Sequence, residues 1–107
     1  MRTLRQVCDE LGVSRRAIQG YEKKGLIAAT GRTERGYLLY DEQVRERINK
    51  IKLYQELGFS LAEIKDIIDE YSERHKELLR ERIIQLEKER KHVDWLIQTA
   101  YDLIAKM

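Results

Sequence analysis

Apolar residues recur at helical spacing along most of the chain, and the interruptions divide it into elements. Leu4, Val7, Cys8 and Leu11 share one face of a first helix. Thr3 and Gln6 ahead of it form a capping box, in which hydroxyl and amide satisfy the first orphan N–H groups. Gly12 stops that helix, and Ser14 is an N-cap for a second running to about Lys24, with Gly25 as its stop. In the second helix Ala17, Ile18 and Tyr21 point towards Leu4, Leu11, Leu26 and Ile27. Two short helices joined by a tight glycine-containing turn predict a helix-turn-helix. Over residues 28–40 the periodicity changes. Gly31 and Gly36 bracket a polar tip and Tyr37-Leu38-Leu39-Tyr40 is strand-like, which predicts a small β-hairpin wing.

Helical spacing returns at Asp41, which caps a third helix carrying Val44, Ile48, Ile51, Tyr54 and Leu57 and ending at Gly58. A second capping box (Ser60, Glu63) and a hydrophobic staple (Phe59 to Ile64) open a fourth, with Ile64, Ile67, Ile68 and Tyr71 on its apolar face. No Gly or Pro follows Gly58, so residues 59–107 are expected to be almost wholly helical. Leu79, Ile83, Leu86, Arg90, Val93, Ile97, Ala100, Ile104 and Met107 alternate in steps of four and three, and only Arg90 is polar. That is a coiled-coil seam, and one chain offers no partner for it. A helix of about 35 residues spans ~50 Å, too long to hide its seam on so small a head, so a homodimer is expected. Arg90 would fix the register by meeting Glu87 or Glu89 across the interface. Trp95, Leu96, Tyr101 and Leu103 widen the apolar surface and are expected to pack on the partner's head; Trp95 and Tyr101 are the weak candidates for a small-effector site. The expected fold is mainly α, with a winged helix-turn-helix over residues 1–71 and a coiled-coil dimerisation helix over 72–107.

A chain of 107 residues fits one small domain with an appendage. Its net charge of +2 becomes informative when the chain is divided. Residues 1–53 carry 12 Lys/Arg against 7 Asp/Glu, a net of +5, while residues 54–107 carry 9 against 12, a net of −3. A basic head suits a polyanion. Arg15, Arg16, Gln19 and Lys23 lie opposite the apolar face of the second helix. Arg and Gln can bond base edges in a major groove, and Lys and Arg neutralise phosphate. Alone, such a face is more often a solvated surface; the tight turn before it and the basic wing after it favour DNA. Arg32 and Arg35 near the wing tip, with Tyr37 and Tyr40, would supply a second phosphate grip.

Other functions find little footing. No apolar stretch approaches the ~20 residues of a membrane helix, and the N-terminus has no signal-peptide block, so a cytoplasmic chain is expected. Cys8 is the lone cysteine and reads as a structural thiol. His75 and His92 are too far apart to pair as ligands, so no metal or cofactor is expected. No nucleophile–base set and no phosphate-cradling glycine loop argue for an enzyme.

Several runs together resemble the MerR family of bacterial transcription regulators. They are Thr3-Leu4 through Val7, Leu11-Gly12-Val13-Ser14, Tyr21-Glu22-Lys23-Lys24-Gly25-Leu26-Ile27, Gly36-Tyr37 with Tyr40, and Leu57-Gly58-Phe59-Ser60-Leu61-Ala62-Glu63-Ile64. The resemblance implies that Arg15, Arg16, Gln19 and Lys23 face the groove, and that Tyr21, Arg35, Tyr37 and Tyr40 lie at or behind phosphate contacts. It also implies an antiparallel dimer, a pseudo-palindromic promoter site and distortion of the promoter spacer so that RNA polymerase engages both elements. The chain departs from the family at Gln19-Gly20, where Arg-Tyr is common, and at Leu38, where Arg is common. Gly20 inside a helix should cost ~1 kcal/mol relative to Ala. These departures point to a divergent operator or a weaker grip. Alternatives are an excisionase-like architectural protein, which generally lacks such a rod, and a coiled-coil interaction module.

Overall fold

The computed structural model describes residues 1–107, which divide into two compact units, Met1–Glu70 and Tyr71–Met107. The first contains β1 (Arg2–Thr3), α1 (Leu4–Leu11), α2 (Arg15–Lys23), β2 (Gly31–Arg32), β3 (Leu38–Tyr40), α3 (Glu42–Leu57) and α4 (Leu61–Ile67). The second is α5 (Glu73–Ala105) with its flanking residues.

Local chemistry sets most boundaries. At the start of α1 the Thr3 hydroxyl accepts from the Gln6 N–H at 3.3 Å, and the Gln6 side chain accepts from the Thr3 N–H at 2.9 Å. Gly12 takes the left-handed conformation (φ 64°) that lets the chain turn sharply between α1 and α2. Asp41 caps α3 by accepting from the Val44 N–H at 2.8 Å. Ser60 and Glu63 form both arms of the second capping box, at 3.2 and 3.0 Å. The hydrogen bonds from Ser60 hold the Glu63 carboxyl below its ordinary pKa.

The wing is a three-stranded antiparallel sheet in the order β1-β3-β2, with Arg2 opposite Tyr40 and Arg32 opposite Leu38. The sequence predicts only the two hairpin strands. β1 has two residues and runs straight into α1, which leaves no alternation to read.

Val7, Ile18, Tyr40, Ile48, Ile51 and Ile64 are wholly enclosed, and Tyr54 meets Phe59 edge to face at 5.9 Å. Of the apolar face predicted for the first helix, only Val7 is fully buried; Leu4, Cys8 and Leu11 are half-buried. Cations of α3 serve the interior. Lys52 donates to the Leu11 carbonyl at 3.0 Å, and Arg45 to the Tyr40 carbonyl at 2.7 Å. Arg47 donates to the Leu26 carbonyl at 2.5 Å and grips Asp69 with two further bonds, at 2.6 and 3.0 Å.

One expectation fails at the end of α4. The helix stops at Ile67, Tyr71 is 80% exposed rather than on its apolar face, and Ser72 caps α5 by accepting from the His75 N–H. Residues 68–72 therefore interrupt the continuous helix expected from the absence of Gly and Pro. A serine cap is enough to start a new helix without either residue.

The 33 residues of α5 correspond to ~50 Å of helix. Along it Leu79 and Leu86 are half-buried, while Ile83, Arg90, Val93, Ile97, Ala100 and Ile104 are exposed. Arg82 pairs with Glu89 at 3.2 Å, engaging one of the acids considered for Arg90. No helix is long and apolar enough to cross a membrane.

The Arg47 guanidinium holds the Asp69 carboxyl below its ordinary pKa of 3.8. A depressed carboxyl contributes stability that is complete above its unfolded pKa and is lost as pH falls through the folded one. Asp69 is largely exposed, so Asp69→Asn should destabilise the chain by less than ~1 kcal/mol near neutral pH. Urea titrations should show that difference closing below about pH 4. An undiminished difference in acid would assign the effect to something other than the ion pair.

Candidate nucleic-acid interface

The two faces of α2 have opposite fates. Ser14 caps the helix, accepting from the Ala17 N–H at 3.0 Å, and Ile18 and Tyr21 enter the core. Arg15, Arg16, Gln19 and Lys23 are all exposed. Tyr21, only 2% exposed, donates its hydroxyl to the Gln55 side chain of α3 at 2.7 Å. Tyr40, wholly buried at the end of β3, donates to Glu22 of α2 at 2.5 Å. Burial raises the pKa of Tyr21; for Tyr40, burial and then the Glu22 carboxylate push it well above the ordinary value.

Of the two places the resemblance allows Tyr21 and Tyr40, at or behind phosphate contacts, this geometry fits the second, and the Tyr40 hydroxyl is not the free phosphate donor that its place in the wing suggested. Both rings are internal and both hydroxyls have protein acceptors, so these residues stand behind the surface and fix its shape. Their partners Glu22 and Gln55 were not singled out from sequence. Nothing local connects a glutamate on one helix to a tyrosine eighteen residues later.

The wing is built around a tight turn. Thr33 and Tyr37 bond through their backbones at 2.8 Å, and the Thr33 hydroxyl accepts from the Tyr37 N–H at 3.1 Å. Arg32 donates to the Gly36 carbonyl at 3.1 Å, bracing the turn with part of its guanidinium. Gly36 adopts φ 85°, which a side chain would disfavour. Arg35 at the tip is exposed, as is Tyr37 at 62%.

Between α1, α2 and the wing lies an open concavity of about 650 Å³, lined by Thr3, Leu4, Arg5, Arg15, Gln19, Arg32, Gly36, Tyr37 and Leu38. It brings together four of the predicted residues: Arg15, Gln19, Arg32 and Tyr37. Arg16, Lys23 and Arg35 are exposed but lie outside this lining. No carboxylate lines it, so its chemistry is that of cations and neutral donors facing an anion. Leu38 contributes to the wall at the position where an arginine is common in the family it resembles. Arg5 joins the lining although sequence reasoning passed over it, because one cation in a first turn has no periodicity.

Elsewhere the possibilities are narrower. No group of three or more His, Cys, Asp or Glu side chains is arranged to hold a metal ion. His92 and Trp95 stack at 6.0 Å, and Trp95 and Tyr101 are 61% and 65% exposed on α5.

The sequence profile of the family described as MerR HTH family regulatory protein matches residues 2–71. A second, described as MerR, DNA binding, matches residues 45–99. Over 63 residues the chain is 43% identical to the mercuric resistance operon regulatory protein of Bacillus cereus, covering 59% of this chain and 48% of that protein. Over 96 residues it is 33% identical to the HTH-type transcriptional activator mta of Bacillus subtilis (strain 168), covering 90% of this chain and 37% of that one. The chain thus spans about half or less of the length of these curated relatives. The crystal structure of the N-terminus of MtaN, the Bacillus subtilis multidrug transporter activator, superposes with a TM-score of 0.72 at 31% identity, covering 97% of this chain and 98% of that one.

Gly20 flanks the exposed face of α2, and a Cβ placed there would meet nothing within 4 Å. Close packing within the chain therefore does not require the glycine. Gly20→Ala should stabilise the free protein by ~0.5–1 kcal/mol through helix propensity. Chemical denaturation checks this, and a loss of stability would mean that the site is not open.

Proposed function

The chain belongs to the MerR family of helix-turn-helix regulatory proteins, and on that basis we propose that it is a sequence-specific regulator of transcription acting on promoter DNA. The observation that carries this reading is the exposed row Arg15, Arg16 and Gln19 on a helix whose opposite face is locked into the core. Residues of this type on a protruding helix can bond base edges in the major groove. Lys23, Arg32, Arg35 and Tyr37 then neutralise or bond phosphate on either side. Tyr21 and Tyr40 act through the protein by holding helix and wing in place. The relatives named as regulators or activators support the same assignment.

The working unit is a homodimer. Ile83, Val93, Ile97 and Ile104 are each more than half exposed on α5, and a second seam of the same kind would remove them from water. The remaining seam residues, Leu79, Leu86, Arg90 and Ala100, complete the contact, with the two helices antiparallel. Two-fold symmetry presents two recognition helices to a pseudo-palindromic site. Distorting the promoter spacer, so that RNA polymerase engages both promoter elements, is the mechanism that joins these parts. A chain working on chromosomal promoters acts in the bacterial cytoplasm.

Binding of duplexes from the intergenic DNA beside the gene, measured against salt, tests the DNA assignment. Affinity should fall steeply with salt. Arg16→Ala and Gln19→Ala should change sequence preference, at ~1–3 kcal/mol for each base read, whereas Arg35→Ala should weaken all duplexes alike. A flat salt response with no preference among fragments would overturn the reading. Sedimentation of Ile97→Asp should show a destabilised monomer where the wild type is a dimer. An intact dimer would refute the seam.

A further inference from the structure

We propose that the outward face of α5 around Trp95 is a docking site for a second protein, and that it takes an acidic segment carrying apolar residues at helical spacing. This face is separate from the DNA surface. It depends on the dimer reading above in one respect, that the second helix lies along the seam and leaves the opposite side open.

The seam fixes the heptad position of every residue on α5. Ile83, Arg90, Ile97 and Ile104 take position a, and Leu79, Leu86, Val93 and Ala100 take d. Leu96, Tyr101 and Leu103 then fall at e or g, beside the seam, whereas Trp95 falls at f, on the far side of the helix. Ile84, Lys88 and Lys91 stand at b, f and b on the same outer face, in steps of four, three and four from Ile84 to Trp95. The stripe is apolar at both ends and cationic between them, over ~16 Å of helix.

Its side chains are available. Ile84 is 53% and Trp95 61% exposed, and Lys88 and Lys91 are exposed as well. Neither lysine takes part in an ion pair or side-chain hydrogen bond, although Lys76 and Arg82 of the same helix are paired with Glu73 and Glu89. His92 stacks on Trp95 at 6.0 Å with the ring planes 15° apart, which restrains the indole before anything binds and lowers the cost of ordering it. Tryptophan is enriched among the side chains that carry binding energy at interfaces, and the two unpaired cations set the sign of what it meets. The charge pattern selects a protein segment over a nucleic acid. Glu81 and Asp102 lie at f on the same stripe and bound the lysines on either side. A duplex laid along the rod would meet both carboxylates, whereas a short segment with acids between apolar side chains matches Ile84, Lys88, Lys91 and Trp95 in turn.

The test selects displayed random peptides of about 16 residues, ~24 Å as a helix, on the full chain. Binders of the double variant Lys88→Glu with Lys91→Glu are removed. The recovered peptides are synthesised, and their affinity is measured by anisotropy for the wild type, the double variant and Trp95→Ala, with sedimentation and thermal unfolding of each. Peptides with Asp or Glu between apolar residues at helical spacing should emerge. Both variants should bind them at least ~10-fold more weakly while staying as stable and as dimeric as the wild type. Binding should also move the emission of Trp95, the single tryptophan of the chain, to shorter wavelength. No enrichment, acid-free peptides, or undiminished binding by Trp95→Ala would overturn the proposal. A comparable loss of duplex affinity in the double variant would assign the lysines to nucleic acid instead. Trp95 emission that is already that of a buried indole in the free wild type, and of a solvated one in Ile97→Asp, would show that the second copy covers this face; the docking site would fall and the dimer stand. A monomeric wild type that binds the peptides through Lys88, Lys91 and Trp95 would overturn the dimer and leave the docking site standing.

Discussion

On the DNA reading α2 must keep a fixed angle to the wing, and the hydrogen bond from Tyr40 to Glu22 ties the two together. The bond joins the last residue of β3 to α2 at 2.5 Å, with the tyrosine ring wholly buried. Arg45 of α3 holds the Tyr40 carbonyl, and Tyr21, beside Glu22, is tied to Gln55 of the same helix. Helix, wing and α3 are thus tied by polar bonds at the edge of the apolar core, with Glu22 half-buried and Gln55 exposed. A hydrogen bond to a charged group contributes ~1.5–3 kcal/mol, a sizeable share of the 5–15 kcal/mol by which domains are stable. Such a network also costs more to half-satisfy than to omit, which makes the geometry specific.

The same division between inside and outside explains the charge. A net of +5 over residues 1–53 suggests a uniformly basic head, but Arg45, Arg47 and Lys52 point their donors at backbone carbonyls. Those cations close helix ends and loops, and Arg47 is in addition neutralised by Asp69. Arg5, Arg15, Arg16, Lys23 and Arg35 remain exposed on α1, α2 and the wing. On the DNA reading, the exposed cations of α1, α2 and the wing are the ones placed to meet a polyanion, and no carboxylate lines the concavity between these elements.

What could be read from the sequence was what local chemistry decides. Thr3 with Gln6, Ser60 with Glu63, and the stops at Gly12 and Gly58 are signals within four residues of their effects, and each helix they delimit is present. The exposed row on α2 was equally legible, because helical spacing separates it from Ile18 and Tyr21. Features that depend on distant partners were not. β1 exists because Arg2 and Thr3 find Tyr40 and Leu39, and two residues have no period of their own. Tyr40 looked like a phosphate donor because its acceptor lies 18 residues away, and the bond from Tyr21 to Gln55 spans 34. Tyr71 fitted the apolar face of α4 by spacing alone, but the helix ends before reaching it.

Amide chemical shifts of the isotope-labelled chain, followed while a promoter duplex is added, test the central claim most directly. The account predicts that residues of α2 and of the wing shift together at the same duplex concentration, because Tyr40 and Glu22 bind them into one unit. Shifts confined to α5, or in α2 with the wing unaffected, would contradict it.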